Sequence, residues 1–186
     1  MTQPTPLAQS ITLAWGAKVS TEFARGVIAL CREFGWGADH PSWLMACMAF
    51  ETAETFSPSV SNAAGSGAVG LIQFMPATTA DLGTTTENLR LLSATSQLVY
   101  VQRYFKPYAA RVRSLSDMYM AILLPSAVGK PDDAVLFSGG IAYRQNAGLD
   151  INHDGQITKA EATALVQAKL QRGLQPGFIA RYAGCP

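Results

Sequence analysis

An almost wholly apolar segment that ends on a single carboxylate constrains this chain more than any other feature. The run WLMACMAF occupies 43–50, and Glu51 comes directly after it. A segment that is apolar all round is typical of a central, buried helix. Leu44, Cys47, Met48 and Glu51 share one face of such a helix. The sequence therefore predicts a buried helix whose last turn carries an acid on apolar surface.

The acid at the end of this helix has two alternative roles. Removing water from a carboxyl group disfavours its charged form and raises its pKa, as a general acid requires near neutral pH. Glu51 is equally compatible with an ordinary helix end, because perturbed carboxylates also occur in structural networks. Glu54 is three residues further on and faces nearly the same way. Spacing alone does not choose between the two glutamates.

A loop rich in small residues comes after the acid and leads to a second apolar segment. Residues 57–70 contain SNAAGSG, a composition typical of loops. The segment then closes on GLIQFMP at 70–76. This order predicts a groove beside Glu51 that is floored by glycines and lined by Gln73 and Met75.

Apolar periodicity elsewhere predicts a mainly α protein. Ser20 is placed to cap a helix that runs to about Phe34, with Glu22 in its first turn. Asp39-His40-Pro41 opens the apolar helix, since proline is favoured in a first turn. No strand alternation or internal repeat stands out. Further helices are expected at 76–81, 93–105, 115–123 and about 159–170.

Composition and charge exclude several classes of protein. The 186 residues are 48% hydrophobic and 15% charged, which predicts one compact domain over 1–186 with its core at about 20–148. A net charge of +1 gives no electrostatic case for nucleic acid, and no apolar run is long enough for membrane insertion. The N-terminus lacks the pattern of a cleavable signal. We expect a monomer made in a reducing cytoplasm.

The segment from Glu51 to Gln73 resembles the signature of soluble-type lytic transglycosylases, which have a goose-lysozyme-like fold, and especially their phage endolysin and virion-associated relatives. In that family a Glu before a Ser or Thr ends the central helix, F-x-P comes next, and a small-residue turn leads to GLMQ or GLIQ. This chain carries Glu51-Thr52, Phe56-Ser57-Pro58 and Gly70-Leu71-Ile72-Gln73, with a longer spacer before Phe56. The resemblance favours Glu51 over Glu54, because Glu51 comes directly after the apolar helix.

The resemblance also implies a set of sugar-binding residues. The family's AYNAG element, which closes the groove, resembles residues 142–148, AYRQNAG, with Arg144-Gln145 inserted. Tyr143 would then lie near the acid, and Tyr119 is either an alternative tyrosine for this pocket or a core aromatic. The implied substrate contacts are Ser66, Gly70, Gln73, Met75, Tyr119, Tyr143 and Asn146.

The activity implied by the resemblance is cleavage of the β-1,4 bond between N-acetylmuramic acid and N-acetylglucosamine in peptidoglycan glycan strands. Glu51 would protonate the leaving oxygen and then act as base on the muramic acid 6-hydroxyl, giving a 1,6-anhydro end. Such an enzyme reaches the cell wall either through a membrane pore, as an endolysin, or on the virion.

Two alternatives to a transglycosylase are open at this point. A muramidase or chitinase on the same fold needs a second carboxylate, for which Asp81, Glu87 and Asp117 are candidates. A non-catalytic, calcium-dependent glycan-binding protein of the virion is the other alternative.

Residues 150–161 match the twelve-residue EF-hand calcium loop at every diagnostic position. Side-chain oxygens stand at positions 1, 3 and 5, Gly155 makes the turn at position 6, a backbone carbonyl serves at 7, and a glutamate ends the loop. The predicted Ca²⁺ ligands are Asp150, Asn152, Asp154, Gln156 and Glu161.

The calcium loop is a single copy, so a sensor that opens a groove between paired loops is not expected. Ile157, at position 8, usually pairs with a second loop, which leaves dimeric pairing as an alternative. Because the loop begins shortly after Gly148, we expect bound calcium to hold residues 143–148 in place, with a closing helix to about 172.

Overall fold

The computed structural model describes residues 10–62 and 65–183, and helices dominate it, as predicted. Strand β1 (Ile11–Leu13) pairs with β4 (Ala180–Tyr182), and β2 (Val135–Ser138) pairs with β3 (Gln156–Thr158), both antiparallel. The helices are α1 (Thr21–Glu33), α2 (His40–Glu51), α3 (Pro76–Asp81), α4 (Thr86–Leu91), α5 (Ala94–Phe105), α6 (Leu115–Leu123), α7 (Gly140–Asn146) and α8 (Lys159–Gly173).

Side-chain caps start several helices where the sequence predicts them. The Ser20 hydroxyl accepts a hydrogen bond from the Phe23 N–H at 3.1 Å, and Ser93 and Ser114 cap α5 and α6 in the same way. Each such cap satisfies an N–H that has no partner within its helix. The approximate ranges predicted for α3 and α6 agree with the structure.

Helix α2 is the centre of the fold, and α1, α6 and α8 pack around it. Its residues from Pro41 to Ala49 are buried except for Trp43, which is partly exposed. Each large apolar side chain buried in this way stabilises the fold by about 1.5–3 kcal/mol. The core also includes Leu13, Trp15 and Val166, and therefore extends beyond 20–148 at both ends.

The short helices α4 and α7 and the short strands are the part of the fold that periodicity did not predict. Helices α4 and α7 have six and seven residues, and the strands have three or four. Elements of this length present too few residues to establish a period. Among the described helices, none combines the length and the hydropathy needed to cross a membrane.

Strand β3 lies inside the predicted calcium loop and finds its partner within the same chain. Ile157 is fully buried and lies opposite Phe137 of β2. This pairing occupies the position that a second loop would take. The alternative of dimeric pairing through Ile157 is therefore not needed to bury its side chain.

Candidate functional site

Glu51 is the last residue of α2, and its side chain is half-buried. Its carboxyl group makes no hydrogen bond or ion pair with any residue in 10–62 or 65–183. Loss of hydration, with no compensating donor, raises its pKa to about 8. At neutral pH this carboxyl group is therefore mainly protonated and has a proton to donate.

Two tyrosines lie within electrostatic reach of Glu51. Burial is the main reason that the pKa of Tyr104 and of Tyr119 is raised, and the charge of Glu51 raises both further. Tyr119 is buried, with its ring edge-to-face on Phe50 at 5.5 Å between centroids. Tyr104 donates its hydroxyl proton to the Ala121 carbonyl oxygen at 2.7 Å. Tyr119 was one of the sequence candidates, whereas Tyr104 was missed because its spacing resembles that of an ordinary core residue.

The backbone turns sharply where α2 ends. Ala53, Glu54 and Phe56 have φ values of 49°, 70° and 51°, a region that residues with a side chain rarely adopt. The Thr52 hydroxyl holds the turn, since it donates to the carbonyl of Met48 at 2.7 Å and accepts from the Phe56 N–H at 3.0 Å. Strain of this kind costs about 1–3 kcal/mol per residue and is concentrated at functional sites in proteins.

Glu54, the other glutamate of this turn, has cationic partners. Its carboxylate oxygens lie 2.6 Å from Lys169 Nζ and 3.2 Å from an Arg172 guanidinium nitrogen, both on α8. Glu54 therefore joins the turn to α8, whereas Glu51 has no ionic partner among the residues described. This difference favours Glu51 as the proton donor, in agreement with the resemblance.

A groove of about 420 Å³ is lined by Gln73 and Met75, as predicted, whereas Glu51 and the glycines that were predicted to form its floor are not among its described lining residues. Its walls come from the segment before α3, from α3 itself, and from the ends of α5 and α6. Tyr104 connects the groove with the acid, because it lines the groove and also responds to the charge of Glu51. The polar and aromatic lining residues are Gln73, Phe74, Thr78, Asp81, Arg103, Tyr104 and Tyr108.

Gly70 supports this groove through its backbone. Its φ is +83°, and a Cβ there would lie 2.4 Å from Gln97 Oε1. The buried Gln97 side chain accepts a hydrogen bond from the Leu71 N–H at 2.7 Å and donates to the carbonyls of Pro58 and Leu89 at 3.1 and 3.0 Å. Gln97 thus ties the two ends of the glycine-rich loop to α4. This role was not predicted from the sequence, because these partners are distant in the chain.

Gln73, Met75 and Ser66 occupy different places in the loop. The Gln73 amide donates to the Gly70 carbonyl at 3.1 Å and to that of Val60 at 3.3 Å, which fixes its side chain beside the groove. Met75 is 46% exposed and is therefore available to a ligand. Ser66 is exposed outside the groove lining, where its hydroxyl accepts from the Ala68 N–H at 3.3 Å.

Tyr143 and Asn146, the remaining predicted sugar contacts, lie on α7 and are not part of the groove lining. The Tyr143 hydroxyl donates to Asp150 Oδ2 at 2.6 Å. The Asn146 amide donates to the carbonyl of Ala142 at 2.9 Å, one turn back. The structure therefore brings Tyr143 to the predicted calcium loop and brings Tyr119 and Tyr104 to Glu51.

The predicted calcium loop is closed by hydrogen bonds from its own backbone. His153 and Gly155 adopt φ values of 59° and 84°, which turn the chain tightly. As a result, N–H groups donate to side-chain oxygens within the loop: Gly155 to Asp150 at 3.1 Å, Asp154 to Asn152 at 2.9 Å and Gln156 to Asp154 at 2.8 Å.

The carboxylates at the two ends of this loop are held in their charged form. The Tyr143 hydroxyl and, to a smaller extent, N–H groups of the loop lower the pKa of Asp150. The N–H and hydroxyl of Thr158 donate to Glu161 Oε2 at 2.9 and 2.7 Å and lower the pKa of that carboxyl group. Ionised oxygens at both ends are what Ca²⁺ requires.

Two carboxylate oxygens provide a test of whether a cation fits the loop. Asp150 Oδ1 and Glu161 Oε1 are buried and have no hydrogen-bond partner among the described residues, a situation that is unfavourable for a charged oxygen. They belong to the first and last loop residues, where a calcium ligand is expected. Across 10–62 and 65–183, no three His, Cys, Asp or Glu side chains cluster closely enough to hold a metal. Asp150, Asp154 and Glu161 are therefore not gathered around one point in this structure, and binding would have to draw them together with Asn152 and the Gln156 carbonyl.

No protein-family model matches this chain, and comparisons with curated proteins and with solved structures give no match either. Its chemistry therefore has to be inferred from the residues of the site.

Proposed function

We propose that this protein is a peptidoglycan lytic transglycosylase with a lysozyme-like fold and with Glu51 as its general acid and base. The observation that carries the proposal is the half-buried Glu51 carboxyl group, whose pKa is raised to about 8 and which has no partner among the described residues. The groove that Tyr104 links to Glu51 also presents Gln73 and Met75, a mixture of amide, apolar and aromatic groups suited to acetamido sugars.

The reaction begins with the Glu51 proton. It moves to the bridging oxygen between N-acetylmuramic acid and N-acetylglucosamine, and the bond from that oxygen to muramic acid C1 breaks. The Glu51 carboxylate then removes the proton of the muramic acid 6-hydroxyl, whose oxygen forms a new bond to C1. Glu51 regains its proton, the product carries a 1,6-anhydro end, and no water is consumed.

The surroundings of Glu51 favour both halves of this cycle. Apolar packing, without a hydrogen-bond donor from the described residues, destabilises the carboxylate and promotes the first proton transfer. The same environment makes the carboxylate a stronger base after that transfer, so the 6-hydroxyl proton moves to it readily. The strained turn from Ala53 to Phe56 begins two residues later and helps to fix the position of the acid.

The second part of the proposal is that residues 150–161 bind one Ca²⁺ as an EF-hand loop, through Asp150, Asn152, Asp154, Gln156 and Glu161. A bound cation would supply the partners that Asp150 Oδ1 and Glu161 Oε1 lack. The ion has a structural role, because Tyr143 joins the loop to α7 and Ile157 joins it to β2.

A hydrolase is the second candidate, because a carboxylate other than Glu51 lines the groove. Asp81 is at the end of α3 in that lining. Asp117, by contrast, is 2.8 Å from Lys159 Nζ in a buried ion pair, and Glu87 lies on α4, where it accepts from the Thr86 hydroxyl. With Asp81 as the second acid, water would replace the 6-hydroxyl and the product would carry a reducing end.

Mass spectrometry of the muropeptides released from purified peptidoglycan separates these candidates. The proposal predicts anhydro-ended products from the wild type and none from Glu51→Gln, with Asp81→Asn still active. Reducing-end products that disappear in Asp81→Asn would assign the hydrolase instead. If neither the wild type nor the variants release products, the proposal is wrong and the glycan-binding alternative is favoured.

A further inference from the structure

A second cavity, also of about 420 Å³, is lined by four cationic side chains. We call it the basic cavity and define it by Arg111, Arg113, Lys130 and Lys159. Ser114, Asp117, Gly129, Pro131 and Asp132 complete its lining. It shares no lining residue with the groove, and it lies outside the calcium-ligand set.

A buried ion pair forms the floor of the basic cavity. Lys159 Nζ lies 2.8 Å from Asp117 Oδ1, and the two side chains are only 3% and 9% exposed. The oxygens of Asp117 also accept from the N–H groups of Gly129 at 2.8 Å and Arg113 at 3.3 Å. The negative charge of Asp117 is therefore already neutralised and offers little repulsion to an anion.

The ammonium group of Lys159 has one N–H bond more than it needs for its two hydrogen bonds at the floor of the cavity. Its ammonium group donates to Asp117 and to the Lys130 carbonyl at 2.7 Å, and an ammonium group has three N–H bonds. The third has no acceptor within 10–62 or 65–183. A buried cation with an unused donor on a cavity wall is a feature of anion-binding sites rather than of simple core packing.

The cations at the rim of the cavity are also available. Arg113 and Lys130 are not buried, and their side chains make no ion pair with any described residue. Arg111 lies over the ring of Tyr108, with its guanidinium carbon 5.8 Å from the ring centroid. Asp132 is the one acidic lining residue that has no cationic partner in the described part of the chain, so positive charge prevails in the cavity.

We propose that the basic cavity binds an oxyanion group, a carboxylate or a phosphate, carried by a cell-wall polymer. Arginine and lysine donors pair with both groups through charge-assisted hydrogen bonds. Tyr108 lines the groove while Arg111 stacks on its ring, so a polymer in the groove passes beside the basic cavity. The choice of polymer rests on the proposed function, whereas oxyanion binding itself does not.

Titration of inorganic phosphate into the ¹⁵N-labelled full chain tests the oxyanion site. Most of the cations are solvent-accessible, so binding on the order of millimolar is expected. The amide signals of Gly129, Lys130 and Ser114 should shift in a saturable way. In Arg113→Gln/Lys130→Gln the affinity should fall at least about tenfold. The matched control, Arg32→Gln/Arg181→Gln, loses the same charge on other surfaces and should bind as the wild type does.

Two anionic probes then identify the source of the group. One is a disaccharide-peptide with free peptide carboxylates, compared with its amidated form, and the other is a glycerol phosphate oligomer. If either probe binds more strongly than phosphate, and this binding is lost in Arg113→Gln/Lys130→Gln, the result supports the proposal and identifies the polymer. Absence of saturable phosphate shifts, or equal phosphate binding by the double variant and the wild type, would overturn it. All of these measurements are made on Glu51→Gln as well, so a failure of catalysis is not confused with a failure of anion binding.

Discussion

Glu51 and the loop of residues 150–161 place carboxyl groups in contrasting surroundings within one small protein. Glu51 ends an apolar helix, has no hydrogen-bond donor among the described residues, and its pKa is raised to about 8. Asp150 and Glu161 receive hydroxyl and N–H donors, and the pKa of each is lowered. The neighbouring residues, apolar in one region and rich in donors in the other, produce this difference.

The contrast shows how this fold shifts the pKa of the same functional group in opposite directions. Where donors are withheld, the carboxyl group keeps its proton at neutral pH and is able to transfer it. Where donors are supplied, the carboxylate keeps its charge and is able to attract a cation. Glu54 shows that position in the chain is not decisive, because it is only three residues from Glu51 and is ion-paired with α8.

The largest expected effect comes from Glu51→Gln, which keeps the shape of the side chain and removes the transferable proton. Because general acid–base catalysis contributes about 10²–10⁴-fold, release of glycan fragments should fall by at least about 100-fold. The rate is measured from the loss of turbidity of a peptidoglycan suspension. Glu54→Gln is the matched control and should retain most of the activity. A larger loss of activity in Glu54→Gln than in Glu51→Gln would show that Glu54, and not Glu51, is the general acid.

The next largest effect is expected from calcium, which should stabilise the folded protein by binding to the loop of residues 150–161. A ligand present at 100 times its dissociation constant stabilises the folded state by about 2.7 kcal/mol, so the melting temperature should rise by several degrees relative to chelator. Asp150→Asn should lose this rise, because it removes the charge at the first ligand position. The control Asp132→Asn, outside the loop, should keep it. An unchanged melting temperature of the wild type in chelator would mean that calcium does not stabilise the fold.

The pH should affect the free energy of unfolding in opposite directions through Glu51 and through the loop of residues 150–161. The folded-state pKa of Glu51 is raised to about 8, so between about pH 4.5 and 8 the folded protein holds a proton that the unfolded chain releases. Glu51 therefore lowers the free energy of unfolding by up to about 1.4 kcal/mol for each unit that the pH rises through this window. The lowered pKa values of Asp150 and Glu161 act below this window, where stability is lost as the pH falls.

Urea unfolding at pH 6 and pH 7 isolates the contribution of Glu51. Glu51→Gln cannot titrate, so it should gain stability relative to the wild type on going from pH 6 to pH 7, by about 1 kcal/mol. A constant difference between the two proteins at both pH values would mean that the carboxyl group is already ionised at pH 6.

The smallest effect is expected at the ion pairs of Glu54. Its partners Lys169 and Arg172 are 30% and 56% exposed in their side chains, so solvent weakens both contacts. Glu54→Gln should lower the free energy of unfolding by about 1 kcal/mol or less, measured by urea unfolding at low and high salt. If the loss does not shrink in high salt, packing of the side chain rather than its charge is responsible.

The sequence was most informative where a pattern is local. Caps and apolar spacing predicted α1, α5 and α6, and the order of residues after Glu51 predicted that Gln73 and Met75 line a groove, although Glu51 itself is not in the described lining. Both depend on neighbours within a few residues, which a single sequence displays directly.

The parts that could not be predicted depend on contacts between distant segments. Gln97 stabilises the glycine loop through Leu71, which is 26 residues away, and Lys159 meets Asp117 across 42 residues. The strand β2 acquires its partner only when the loop of residues 150–161 folds against it. In the sequence, the spacing of Tyr104 is that of a core residue, and only the folded structure shows that it lines the groove.

A carbon-13 NMR titration of the Glu51 side-chain carboxyl group tests directly whether this acid holds its proton at neutral pH. The signal is assigned by its absence in Glu51→Gln and monitored from pH 4 to pH 9. We predict a titration midpoint near pH 8, far above the ordinary value for glutamate, about 4.3. A midpoint between pH 4 and pH 5 would show an ordinary exposed carboxylate and would contradict the role proposed for Glu51.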